Sequence, residues 1–150
     1  MTLHDVGVQE TAEDRRRKRA PRALVDLSER HASSPRLRGR AVTSATAQPG
    51  EVVRLVELLA AGTASYAAGE EQVDSGDLAA ALTLVPHLRA ELDETELGLL
   101  IMARGRGLTW RQIAEAQGLD SAQAAQQRHD RLTMRIDERP EPKQPAATAS

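Results

Sequence analysis

Cysteine is absent from this chain, which excludes disulfides, thiolate zinc sites and a cysteine nucleophile. Phenylalanine is absent as well, and Trp110 and Tyr66 are the only residues of their kinds. Apolar residues still make up 40% of the chain, but Leu and Ala carry most of that share, so any core must be small and aliphatic. Scarce aromatic and β-branched residues favour helix over strand. No apolar run approaches the roughly 18 residues that a membrane-spanning helix needs, so no membrane partner is expected. The opening MTLHDVGVQE is mixed and polar, without the charged-then-apolar order of a secretory signal. The expected location is cytoplasmic.

Catalytic patterns are missing too. There is no Walker-type loop, no G-x-S-x-G and no H-E-x-x-H. His4, His31, His87 and His129 are scattered without ligand-like spacing. The expectation is a chain that is not an enzyme, with no metal, no cofactor and no small-molecule ligand.

What the chain does have is segregated charge beneath a net −2. Residues 11–40 hold ten Lys/Arg against four Asp/Glu, a local +6. Residues 50–102 hold two against ten, a local −8, and residues 103–135 hold six against three, a local +3. Local sign, more than total charge, decides what each surface attracts.

The expected organisation has four parts. Residues 1–48 read as a basic, largely disordered arm, rich in Arg, Ser and Pro, with at most a short helix around residues 23–30. The run Arg15, Arg16, Arg17, Lys18 and Arg19 is either solvated or settles along phosphates. Residues 49–92 read as an acidic helical segment, in which Val52, Leu55, Val56 and Leu59 share one helix face and Gly62 ends the helix. Asp74 or Ser75 caps a second helix, Pro86 kinks or restarts it, and a third opens at Asp93 or Glu94. Residues 93–137 form a helical DNA-binding unit, and residues 138–150 a short disordered tail. The fold class is therefore all-α: a small helical bundle ending in a helix-turn-helix.

The helix-turn-helix expectation rests on residues 107–132, GLTWRQIAEAQGLDSAQAAQQRHDRL. Thr109 and Gln112 have capping-box spacing, and Asp120 with Gln123 repeats it after a short break. Ala114 is small where two backbones must approach, and Gly118 tolerates the positive φ that a tight turn needs. Leu119 is expected to plug the turn, with Trp110, Ile113, Ala124, Leu132 and Ile136 facing inward. Ser121, Ala122, Ala125, Gln126 and His129 then face outward, flanked by Gln123 and Gln127. Gln can bond the adenine edge bidentately, while Ser121 and a helix N-terminus suit a phosphate. Arg111, Arg128, Arg131 and Arg135 are candidates for flanking phosphates.

Residues 91–132 resemble a recurrent actinobacterial helix-turn-helix segment, and more distantly the DNA-binding units of sigma-factor region 4 and LuxR-type regulators. Ala103, Arg104, Gly107, Trp110, Ile113, Ala114, Gly118, Gln123, Ala124, Ala125, Arg128, Arg131 and Leu132 carry the match. Two positions depart from it. Ala124 stands where a bulky aliphatic residue is usual, with Gln127 or Arg128 at the next inward position, and Gln117 stands where that pattern often has Leu. Either the second helix packs loosely or an upstream helix fills the gap. The resemblance implies binding of double-stranded DNA, with the 121–135 helix in the major groove, by a transcriptional regulator or nucleoid-associated protein. The rival expectation is a helical protein-interaction module that binds a regulator or polymerase component without touching DNA. A homodimer through the Val52–Leu59 stripe is left open by the residues alone.

Overall fold

A computed structural model of the chain describes residues 9–32 and 48–139, and every regular element among them is helical. Expectations for residues 1–8, 33–47 and 140–150 fall outside the described residues. The helices are α1 (Ala12–His31), α2 (Pro49–Ala60), α3 (Ser75–Gly105), α4 (Trp110–Ala116) and α5 (Ala122–Asp137). None is long and apolar enough to cross a membrane. The chain divides into two compact units, Met1–Leu88 and Arg89–Ser150.

In the first unit, the stretch expected as a disordered arm contains a 20-residue helix. Thr11 caps it reciprocally: its hydroxyl accepts from the Asp14 amide at 3.1 Å, and its own amide donates to Asp14 Oδ2 at 3.0 Å. Ala20, Ala23, Leu27 and His31 recur every three or four residues and are buried. Ala20, Ala23 and Leu27 pack with Val52 and Val56 of α2 and with Ala81 and Leu84 of α3. Half of this stripe is alanine, which adds little to a hydrophobicity count yet permits close helix approach. Part of the positive charge is also offset locally, Glu13 pairing with Arg16 and Arg17, Asp26 with Arg22, and Glu10 with Lys18.

The α2 stripe that the residues alone left open to a second copy is occupied already. Val52, Leu55, Val56 and Leu59 are all buried within their own unit. Leu55 and Leu59 join Ala32 in a cluster flanked by Tyr66 and Val73, and the Tyr66 hydroxyl accepts from the Val73 amide at 3.0 Å.

Helix α3 runs through Pro86 without interruption, so the chain does not restart there and no third helix opens at Asp93 or Glu94. Proline there removes one intrahelical donor and leaves the ladder on either side intact. Asp93 and Glu94, which look like a helix-start signal, instead accept from Arg139 at 2.7 and 3.1 Å. Arg139 itself lies in the stretch expected to be a loose tail. The true start of α3 is capped by Asp74, whose Oδ1 accepts from the Asp77 amide at 2.8 Å while its own amide donates to Asp77 Oδ2 at 3.1 Å.

A buried polar cluster ties α1 to this cap. His31 is fully buried, its Nδ1 3.2 Å from Glu70 Oε1 and its Nε2 3.3 Å from Asp77 Oδ2. Arg30 Nη2 donates to Asp77 Oδ2 at 2.9 Å, and Arg30 also pairs with Glu71. Burial pushes the Asp77 carboxyl up, but hydrogen bonds from Arg30, the Asp74 amide and His31 outweigh it and hold the group below its ordinary value.

Candidate nucleic-acid interface

Within the second unit, residues 89–105 of α3 pack on α4 and α5 around a small core. Leu100, Ile113, Ala114, Ala125 and Leu132 are buried, with Leu97, Ala103, Trp110 and Leu119 packed around them. Trp110 anchors this core, but its ring is only partly covered by it. The Arg104 guanidinium lies 5.1 Å from the ring centroid, and His129 meets the ring edge-on at 5.5 Å.

The turn between α4 and α5 follows from glycine at position 118. Its φ is +67°, in the left-handed region. The Leu119 amide donates to the Ala114 carbonyl at 2.8 Å and the Gly118 amide to Glu115 at 3.2 Å. This paired closure satisfies carbonyls left over at the end of α4 and reverses the chain at once. The expected capping box at Thr109 is present, Gln112 Oε1 accepting from the Thr109 amide at 2.8 Å. Helix α3 ends in the same paired closure at Gly107, with φ +90°. A Cβ at Gly118 would meet nothing within 4 Å, so Gly118→Ala introduces backbone strain without a clash. The expected loss is about 1–2 kcal/mol, read by urea unfolding followed through Trp110 emission; an unchanged midpoint would contradict it.

The start of α5 lies one residue beyond the expected one. Ser121, rather than Asp120, is the cap, its Oγ accepting from the Ala124 amide at 3.1 Å. The inward set shifts accordingly: Ala125, expected outward, is fully buried, and Ala124 is only partly so. His129 also turns inward, onto Trp110. The exposed ridge is Gln123, Gln127 and Asp130, flanked by Gln126 and Arg131.

The arginines of this unit divide into two groups. Arg128, expected at a phosphate, is held by Glu96 of α3: its Nη2 donates to Oε2 at 2.7 Å and its Nε to Oε1. Glu96 Oε1 also accepts from Gln117 Nε2 at 2.8 Å. The hydrogen bonds from Arg128 hold the Glu96 carboxyl below its ordinary value against the opposing effect of burial. One carboxylate thus joins the end of α4 to the middle of α5. Arg135 stands 3.7 Å from Asp93. Arg106, Arg111 and Arg131 are exposed and make no ion pair among the described residues. Arg111 borders a shallow concavity of about 290 Å³, lined also by Asp120, Ser121 and Ala122 at the start of α5.

Glu96 is the residue that sequence reasoning missed. Its signal was the inward placement of Gln117 and Arg128, two polar side chains that demand a partner when packed between helices. On α1, Arg16 is spent similarly, its Nη1 donating to the Thr83 carbonyl at 3.1 Å and to His87 Nδ1 at 2.9 Å. Arg15, Arg17, Lys18 and Arg19 remain on the exposed side of that helix. Among the described residues, no group of three or more His, Asp or Glu is placed to hold a metal ion. No family model, curated protein or solved structure matches this chain.

Proposed function

We propose that residues 89–139 bind double-stranded DNA, with α5 lying in the major groove, and that the chain acts at the nucleoid as a transcriptional regulator or an architectural protein. The observation that carries this reading is the exposed ridge of Gln123, Gln126 and Gln127 beside the unpaired Arg111 and Arg131. At 16 residues, α5 is about 24 Å long, and the groove, roughly 12 Å wide, admits such a cylinder. The glutamines carry the donor and acceptor pair that matches an adenine edge, and Asp130 can accept from a cytosine amine. Arg111 and Ser121 suit one flanking phosphate and Arg131 another. Arg128, Arg135 and His129 serve as positioning residues that hold α5 to its neighbours. Arg15, Arg17, Lys18 and Arg19 of α1 add attraction without sequence preference.

Fluorescence anisotropy of a labelled mixed-sequence duplex, titrated with the full chain at low and moderate salt, tests this. Binding is expected to weaken steeply as salt rises. Arg131→Ala or Arg111→Ala should each lower affinity across sequences and reduce the salt slope by about 0.9. Gln126→Ala should change preference among sequences more than mean affinity. No binding at low salt would overturn the reading and leave the protein-interaction alternative.

A further inference from the structure

Helix α3 turns its other side, away from the core of the second unit, to solvent. Three large apolar side chains at i, i+7 and i+10 share that side and are more than half exposed: Leu92 at 65%, Leu99 at 59% and Met102 at 54%. Isolated exposed leucines need no explanation, but three large apolar side chains along one helix face form a stripe. Gly98 lies among them in mid-helix, where glycine costs about 1 kcal/mol relative to alanine. A Cβ there would meet nothing within 4 Å, so the unit's own packing does not require glycine.

The charges bordering the patch are polarised along the helix. Glu91 is exposed at its N-terminal end. Arg106 is exposed one turn past Met102, its amide still donating to the Met102 carbonyl at 3.0 Å. A face with acid at one end and base at the other complements itself when two copies run antiparallel. A twofold axis at Gly98 sets Glu91 of one copy against Arg106 of its partner, and lets the two helices approach where the side chain is smallest.

We infer that this face of α3 is a homodimer interface, with a second copy of the chain as its occupant and the two α3 helices antiparallel. The inference goes beyond the DNA reading and does not depend on it. From Glu91 to Arg106 the face covers about 22 Å of helix, so the contact rests on a single helix pair of about four turns. A contact confined to one helix pair makes a reversible dimer.

Sedimentation velocity of the full chain without DNA, over a concentration series from micromolar to millimolar, is the test. The wild type should pass from monomer to dimer. Leu99→Glu should stay monomeric throughout, with an unchanged circular dichroism spectrum because residue 99 is not in the core. Glu91→Arg and Arg106→Glu should each weaken dimerisation about tenfold, and the double exchange should restore it. A wild type that stays monomeric to millimolar concentration overturns the inference, as does a dimer indifferent to Leu99→Glu. A double exchange weaker than either single variant overturns the antiparallel arrangement.

Discussion

Asp77→Asn is expected to lower the unfolding temperature of the first unit by about 12 °C or more. The substitution leaves the shape of residue 77 almost unchanged and removes its charge. In the native chain that carboxylate lies 2.9 Å from Arg30 Nη2, 3.3 Å from His31 Nε2 and 3.1 Å from the Asp74 amide. A buried ionic group that loses its partner costs about 3–5 kcal/mol, and for a unit of this size each kcal/mol moves the midpoint by about 4–8 °C. Glu71→Gln is the control. Glu71 also pairs with Arg30, but its side chain is 74% exposed, and water screens that pair, so the expected change is below about 1 kcal/mol. Tyr66 lies in this unit and its emission reports the transition. Equal effects from the two substitutions would show that burial of the Asp77 cluster does not contribute as described.

The same cluster sets an acid limit. The Asp77 carboxyl is held below its ordinary value in the folded chain, so the unfolded chain binds the proton more tightly. The stabilisation is complete above the unfolded value near pH 4 and is lost progressively as pH falls from there through the depressed native value. The Glu96 carboxyl, lowered chiefly by the hydrogen bonds from Arg128, has the same sign in the second unit. Asp77→Asn should therefore flatten the dependence of stability on acid as well as lower its plateau.

How far the fold could be read in advance depended on whether its signals were local. The caps at Thr109 and Asp74, the glycine turn at 118 and the stripe at Val52, Leu55, Val56 and Leu59 each depend on residues within one or two turns, and all four are present. The helix Ala12–His31 was hidden because Leu27 is the only large aliphatic residue among its buried four, Ala20, Ala23, Leu27 and His31, while arginine dominates its composition. Helical periodicity in small residues is faint, and only the partner surface of Val52, Val56, Ala81 and Leu84 makes it worth burying. The start of α5 could be read only to within a residue, since Asp120 and Ser121 both suit a cap, and that single step turned Ala125 inward. The division of the arginines was not local at all. Nothing in the neighbourhood of Arg128 shows that Glu96, 32 residues earlier, will hold it.

Leu132→Ala should have its largest effect in the second unit, because so little else fills that core. Leu132 is fully buried, and of the four other buried residues around it Ala114 and Ala125 bring only a methyl group each. Removing the isobutyl group leaves a void that alanines cannot fill, at a cost of about 2–5 kcal/mol. A segment this small has little stability to lose, so α5 should detach or melt near room temperature. Met134, two residues further on, is 61% exposed, and Met134→Ala should change stability by less than about 0.5 kcal/mol. Trp110 is the only tryptophan and packs against the same core, so its emission isolates this transition from that of the first unit. If α5 reads DNA, Leu132→Ala should abolish binding even though Leu132 lies on the inner side of the helix and cannot touch a base. A variant that unfolds no earlier than Met134→Ala would mean that α5 is held chiefly by Glu96 and Arg128 through their ion pair, and not by its apolar side.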